Sequence, residues 1–272
     1  MPTSPASIPA AIPAAVPAAI PRLVLNIAAY RFVPIADPAA WIAPLKARCE
    51  AAALKGTIIV ASEGINLFVA GDEVAVDGFV TWLAADPRLL DVDGGQALAS
   101  LEVRRSWSAQ QPFRRLRIKQ KPEIVTMRRP AVMPVARRAP AVTPEQLARW
   151  LAQGHDDKGR PIVLLDTRNG FEVDLGTFDG ARHLGIERFD AFPGAVDSLR
   201  DELRDETIVT FCTGGIRCEK AALYMQDAGF TRVLQLDGGI LNYFDRVGDA
   251  HWNGTCFVFD ERRTLGVDLG TG

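Results

Sequence analysis

The chain has 272 residues, a formal net charge of -2, 48% hydrophobic and 24% charged residues, and four cysteines. Those figures belong to a globular chain long enough for two domains with separate cores, and they exclude a uniformly basic nucleic-acid coat and a disulfide framework. No uninterrupted apolar run approaches the roughly 20 residues of a membrane span, and so few scattered cysteines fit a reducing compartment, so a cytoplasmic protein is expected with no membrane partner.

The first 21 residues carry prolines at positions 2, 5, 9, 13, 17 and 21. Proline at that spacing removes helix donors and favours extended chain, so residues 1–21 read as a disordered tail without chemistry. A secretory signal would need a positively charged start and a proline-free apolar block, and neither is present.

Residues 22–108 read as one domain. "RLVLNIAAYRFVPI" is a strand, and "DPAAWIAPLKARCEAAA" is a helix capped by Asp37 with Pro38 in its first turn. Pro44 interrupts the donor ladder of that helix and calls for a kink. "GTIIVAS" and "GINLFVAG" are strands joined around Glu63 and Gly64, "DEVAVDGFVTWLAAD" is a second helix and "LEVRRSW" a last strand. The order β-α-β-β-α-β predicts a ferredoxin-like α+β domain. Glu63 and Asn66 are read as setting the turn between its middle strands rather than as touching substrate.

Residues 109–142 read as a basic linker. From Arg104 to Arg138 there are eleven cations and a single acid, Glu123, and prolines at 112, 122, 130, 134 and 140 forbid one continuous helix. Two readings stand: a solvated connector, or a phosphate-binding face in which Arg114, Arg115, Arg117, Lys119 and Lys121 hold nucleic acid.

Residues 143–250 read as an α/β domain. Thr143 caps a helix over "TPEQLARWLAQ", and a buried-type strand "PIVLLDTR" follows, with a helix expected near "AVDSLRDEL". The strand "TIVTF", the helix "EKAALYMQDAG" stopped by Gly229, the strand "RVLQL" and the helix "ILNYFDRV" complete an alternation. Strands alternating with helices predict a parallel sheet with helices on both faces and functional loops at the strand C-terminal ends. Residues 251–272 remain as a C-terminal segment.

One such strand end carries "CTGGIRC", Cys212 to Cys218. A thiol becomes a nucleophile by ionising, and the unpaired amides and dipole of a helix N-terminus stabilise the anion. Gly214 and Gly215 let amides turn towards the sulfur, Thr213 and Ile216 complete the loop, and Arg217 adds a permanent positive charge. Cys212 is accordingly expected at an accessible strand end, as a thiolate or a terminal persulfide. Four residues separate Cys212 from Arg217, one fewer than in cysteine phosphatases, and Phe211 stands where those enzymes place a histidine, so phosphoryl transfer is disfavoured. Cys218 is either a resolving partner for Cys212 or a small residue in the first helical turn, and Asp166 and Arg168 either shape the pocket wall or brace it. Cys256 reads as a small buried side chain.

The loop resembles the C-x-x-G-x-R loop of rhodaneses, with "LLDTRNGFE", "GTFDGAR" (Thr177 in place of a histidine) and "LDGGILNYF" resembling other signatures of that domain. "FCTGGIRCEKAALYM", together with "ASEGIN", "RLRIKQKPEIVTM" and "HWNGTCFVFDERR", is similar to the bacterial tRNA uridine(34) hydroxylases, the TrhO family, from about Leu25 to Asp260. Longer members continue into a cysteine-rich tail, and no cysteine follows Cys256 here. The resemblance implies a rhodanese-like domain behind a ferredoxin-like one, and oxygen-dependent hydroxylation of C5 of the wobble uridine. It carries the essential family cysteine onto Cys212, the family arginine onto Arg217 and the second loop cysteine onto Cys218. It also gives the basic stretch the anticodon arm of a tRNA as partner. Molecular oxygen is then the co-substrate, with no cofactor recognisable. His155, His183 and His251 are widely separated and form no metal-ligand spacing. Two rivals remain: persulfide transfer by Cys212, which leaves the first domain unexplained, and a non-catalytic tRNA- or protein-binding module, against which an intact Cys212 and Arg217 argue.

Overall fold

The computed structural model describes residues 24–89 and 101–270. The proline-rich stretch 1–21, read above as a tail, lies outside them.

The first domain is built from β1 (Val24–Phe32), α1 (Pro38–Ala51), β2 (Lys55–Ala61), β3 (Gly64–Gly71), α2 (Glu73–Ala84) and β4 (Glu102–Ser108), the expected order. Asp37 caps α1, its carboxylate accepting from Ala40 N at 3.0 Å. Pro44 lies inside α1 on an exposed face, where water can satisfy the carbonyl it leaves without a donor. The sheet order is β4-β1-β3-β2 with a fifth strand, β5 (Leu116–Gln120), added parallel to β2. Side chains alternate along a strand. Leu25, Ile27 and Ala29 of β1 therefore pack under α1 and α2 with Trp41, Leu45, Phe79 and Leu83, while Asn26, Ala28 and Tyr30 line the helix-free face.

The stretch 109–142 is woven into both domains. Leu116 and Ile118 pack on the first core, Met127, Val132 and Ala139 enter the second, and β6 (Ala141–Val142) pairs with a strand of the second sheet. The "LRIKQ" alternation that makes β5 was hidden by the charge around it.

The second domain holds α3 (Pro144–Gln153), β7 (Ile162–Asp166), α4 (Gly170–Val173), β8 (Gly176–Phe178), β9 (Arg182–His183), α5 (Phe192–Val196), β10 (Thr207–Phe211), α6 (Ile216–Asp227), β11 (Val233–Leu236) and α7 (Gly239–Arg246). Its sheet, ordered β6-β11-β10-β7-β9, is parallel throughout. Helices cover both faces: Ile208 belongs to a core with Phe192, Ala221 and Leu223, and its neighbours Val209 and Phe211 to one with Leu147, Ile240 and Tyr243. The helix expected near 195–203 lies earlier, as α5, because Pro193 starts the turn and Phe192 and Val196, four residues apart, supply the buried pair.

The C-terminal segment is structured. Strand β12 (Trp252–Gly254) pairs with β8, and β13 (Cys256–Phe257) with β14 (Thr264–Leu265). Trp252, Cys256 and Leu265 complete the second domain's core. The segment also reaches the first domain, where Trp107 N donates to Leu269 O at 3.1 Å and Glu261 N to Pro112 O at 3.0 Å.

Candidate active site

Cys212 follows the last residue of β10, and the loop to α6 folds over its sulfur. Gly215 N donates to Sγ at 3.1 Å. Gly215 has φ +95, a left-handed conformation that glycine tolerates, and a Cβ there would meet the Tyr30 hydroxyl at 3.0 Å. The loop carbonyls are held from below by α7: Ile240 N donates to Cys212 O at 2.9 Å and Leu241 N to Thr213 O at 3.0 Å. The glycine pair at the start of α7, Gly238 and Gly239, matters for this approach, since a Cβ on Gly239 would lie 2.4 Å from Cys212 O. Gly214, by contrast, has open space around it.

Burial works to raise the Cys212 pKa, but a hydrogen bond from the Cys218 thiol, the Arg217 charge and the Arg217 and Cys218 amides outweigh it and bring it down to about 6. Cys218 shifts the other way, well above its ordinary value, because it is buried and shares that bond with the Cys212 anion. Thr167 Oγ1 lies 3.8 Å from its sulfur. Cys218 thus serves the thiolate as a proton-bearing neighbour. Burial pushes the Cys256 thiol up to about 12, which fits the inert role expected of it.

Arg217 is held by Glu172 through two parallel bonds, Nη1 to Oε2 at 2.6 Å and Nη2 to Oε1 at 2.7 Å. Glu172 also accepts from Asn169 N at 3.0 Å and is itself fully buried. The guanidinium is therefore a fixed charge with both edge donors committed. Asp166 and Arg168 pair with each other at 2.6–3.1 Å, entirely buried, with Thr177 Oγ1 donating to Asp166 at 2.9 Å and Arg168 Nη2 to Gly176 O at 2.7 Å. Neither lines the cavity over Cys212; they brace the strand end from behind.

Cys212 is only 1% exposed, contrary to the accessible position expected of it. Its sulfur is reached through a cavity of about 720 Å³ between the two domains. One wall is the Cys212 loop; the other is the helix-free face of the first sheet, with Tyr30, Asn66 and Phe68. Of the cations singled out in the basic stretch, Arg117 and Lys119, which share one face of β5, and Lys121 just after it line this cavity. Arg114 and Arg115 do not line it; Arg114 pairs with Glu261 at the surface. Arg104 and Arg128 join the lining from elsewhere in the basic run, and Arg188 and Arg262 from beyond it, together with the carboxylates Asp190 and Asp260.

The domains are clamped at α6. Lys220, 1% exposed, donates to Glu63 at 2.9 Å, Glu123 at 2.7 Å and Val125 O at 3.1 Å. Next to it Glu219 accepts from Tyr30 at 3.3 Å, Arg138 at 2.8 Å and Gln235 at 3.2 Å. Glu63 therefore does more than shape a turn, and Asn66 donates to Ile124 O at 3.2 Å across to the connector. Glu172, Glu219 and Lys220 went unnoticed in the sequence. The available signal was a charged pair, "EK", opening an otherwise apolar helix. Among the described residues, no group of three or more His, Cys, Asp or Glu is placed to hold a metal ion, and no helix is long and apolar enough to cross a membrane.

Residues 24–124 match the model of the UPF0176 acylphosphatase-like domain, and residues 143–245 that of the rhodanese-like domain. Proteins named tRNA uridine(34) hydroxylase are similar over nearly the whole chain. That of Bordetella petrii is 56% identical over 242 residues, covering 89% of this chain and 92% of its own. That of Cupriavidus taiwanensis is 52% identical over 246 residues, covering 90% and 84%. This chain belongs to the tRNA uridine(34) hydroxylase family. A further member, from Variovorax paradoxus, is 54% identical over 246 residues, covering 90% of each chain. The first family model ends at 124, past β5, in agreement with the five-stranded sheet rather than with a domain closing at 108.

Proposed function

We propose that the protein hydroxylates C5 of the wobble uridine of tRNA, with molecular oxygen as co-substrate and Cys212 as the working nucleophile. The observation that carries this reading is identity above 50% across nine-tenths of the chain with proteins named for that reaction. The site is suited to it. A thiolate ionised near pH 6 lies at the floor of a cavity lined by apolar residues and by more cations (Arg117, Lys119 and Lys121 among them) than carboxylates, and a wobble base is already unpaired and can be splayed into such a space.

Attack of the Cys212 thiolate on uracil C6 forms an S–C6 bond and leaves C5 enolate-like. C5 bonds one atom of dioxygen; the other leaves as water, with two electrons and two protons supplied by a thiol-class reductant. Loss of the C5 proton and cleavage of S–C6 restore the ring as 5-hydroxyuridine. The cations of β5 hold the phosphates of the anticodon arm on either side.

The test is nucleoside mass spectrometry of tRNA from a strain lacking the gene, with and without the gene restored. Absence of 5-hydroxyuridine derivatives that return on restoration is expected. Loss of thiolated nucleosides with 5-hydroxyuridine intact would replace this reading by persulfide transfer.

A further inference from the structure

Phe259 is 48% exposed and yet lines the same cavity as Cys212. Its ring lies 5.9 Å from Cζ of Arg217, 6.1 Å from the ring of Phe68 on β3, and 5.0 Å from the ring of Phe257, edge-on at 88°. It thus stands where the catalytic loop and the first domain's sheet approach each other. The turn between β13 and β14 that presents it is firmly tied. Val258 N donates to Arg263 O at 2.8 Å, Asp260 and Arg262 pair at 2.6 and 2.9 Å with both side chains largely buried, and Arg262 Nη1 donates to Ser106 Oγ of the first domain at 2.9 Å.

An aromatic ring left half in water on a rigid turn contributes little to the protein's own core. In a cavity that also holds Arg117, Lys119 and Lys121, it offers a π-face to a planar ligand that carries phosphates. Thiolate attack on a pyrimidine also requires the ring plane to be held across the sulfur's line of approach, and a stack on a fixed aromatic ring holds that plane. We infer that Phe259 is the stacking platform for the flipped nucleobase, a single-stranded RNA pyrimidine, holding it over Cys212. This rests on the hydroxylation reading for the identity of the base, and on the cavity geometry for the stack itself.

The experiment is a cycle between protein and RNA. Dissociation constants are measured for the wild-type protein, Phe259→Ala and Phe259→Tyr, each with an anticodon stem–loop bearing uridine or an abasic ribose at the wobble position. Stacking of one base on an aromatic side chain corresponds to roughly five- to hundredfold in affinity. Removing the base should therefore weaken wild type and Phe259→Tyr by about tenfold or more, and Phe259→Ala hardly at all. Equal loss in all three proteins overturns the assignment. If the coupling holds but wild-type protein yields no 5-hydroxyuridine in tRNA, the nucleobase site stands and the hydroxylation reading falls.

Discussion

Arg217 and Lys220 lie three residues apart on α6, both withdrawn from water and both matched to carboxylates, but they look to different domains. Arg217 turns back to Glu172 of its own domain through two bonds at 2.6 and 2.7 Å. Lys220 reaches Glu63 of the first domain and Glu123 of the connector, carboxylates whose side chains keep 19% exposure. The same helix N-terminus that ionises Cys212 therefore carries two separate devices. One fixes the charge beside the sulfur; the other fixes the sheet that forms the opposite wall. The chemistry of the thiol and the assembly of the cavity are separable in space, and so should be separable by substitution.

The largest effect belongs to the sulfur itself. Cys212→Ser is expected to abolish 5-hydroxyuridine formation while the protein keeps its thermal unfolding profile, since one nearly isosteric atom changes in a loop held by α7. Full modification of tRNA in cells carrying only that variant would remove Cys212 from the reaction.

Glu172→Gln comes next, because it leaves the Arg217 cation buried without its counter-charge. Removing one partner of a buried ion pair costs about 3–5 kcal/mol, so a large drop in the denaturant midpoint is expected. Lys220→Met should cost less, since Glu63 and Glu123 retain access to water. It should slow tRNA hydroxylation while the pH midpoint of Cys212 alkylation stays at its wild-type value. A midpoint that moved with Lys220 would show that the two devices are one.

The titration sharpens the same division. The Cys212 pKa is lowered from its ordinary value to about 6, so the reactive anion forms as pH rises through that point and is lost below it. Alkylation and hydroxylation should both climb between about pH 5 and 7 and level off above, where an unperturbed thiol would still be protonated. A midpoint near 9 in the wild-type protein would remove the effect ascribed to Arg217 and the loop amides.

What could be read without coordinates follows from distance along the chain. The thiolate loop is legible because everything that makes it (Cys212, the two glycines, Arg217) falls within six residues, and the two domains are legible from their strand and helix periods. The partners were not. Glu172 is 45 residues from Arg217 and Glu63 is 157 from Lys220, and no local pattern announces a bond across such separations. Asp166 and Arg168 were visible as a pair, but only their complete burial shows a brace rather than a pocket wall. Strand β5 was missed for another reason: three of its five residues are polar or charged, and the two that are not, Leu116 and Ile118, suffice to seat it on the first core.

That strand gives the smallest expected effect and the finest division. Arg117, Lys119 and Lys121 line the cavity, whereas Arg114, 87% exposed and paired with Glu261, and Arg115 do not, although all five belong to one basic run. Each phosphate contact contributes roughly 0.7 to 0.9 to the slope of log affinity against log salt. Replacing the three cavity-facing cations by alanine should weaken tRNA binding and flatten that slope by about 2 to 3, while Arg114→Ala with Arg115→Ala should leave both nearly unchanged. Equal responses from the two sets would mean that the run acts as a diffuse field, and that position along the strand, which here separates Arg115 from Arg117 two residues on, has no bearing on how the RNA is held.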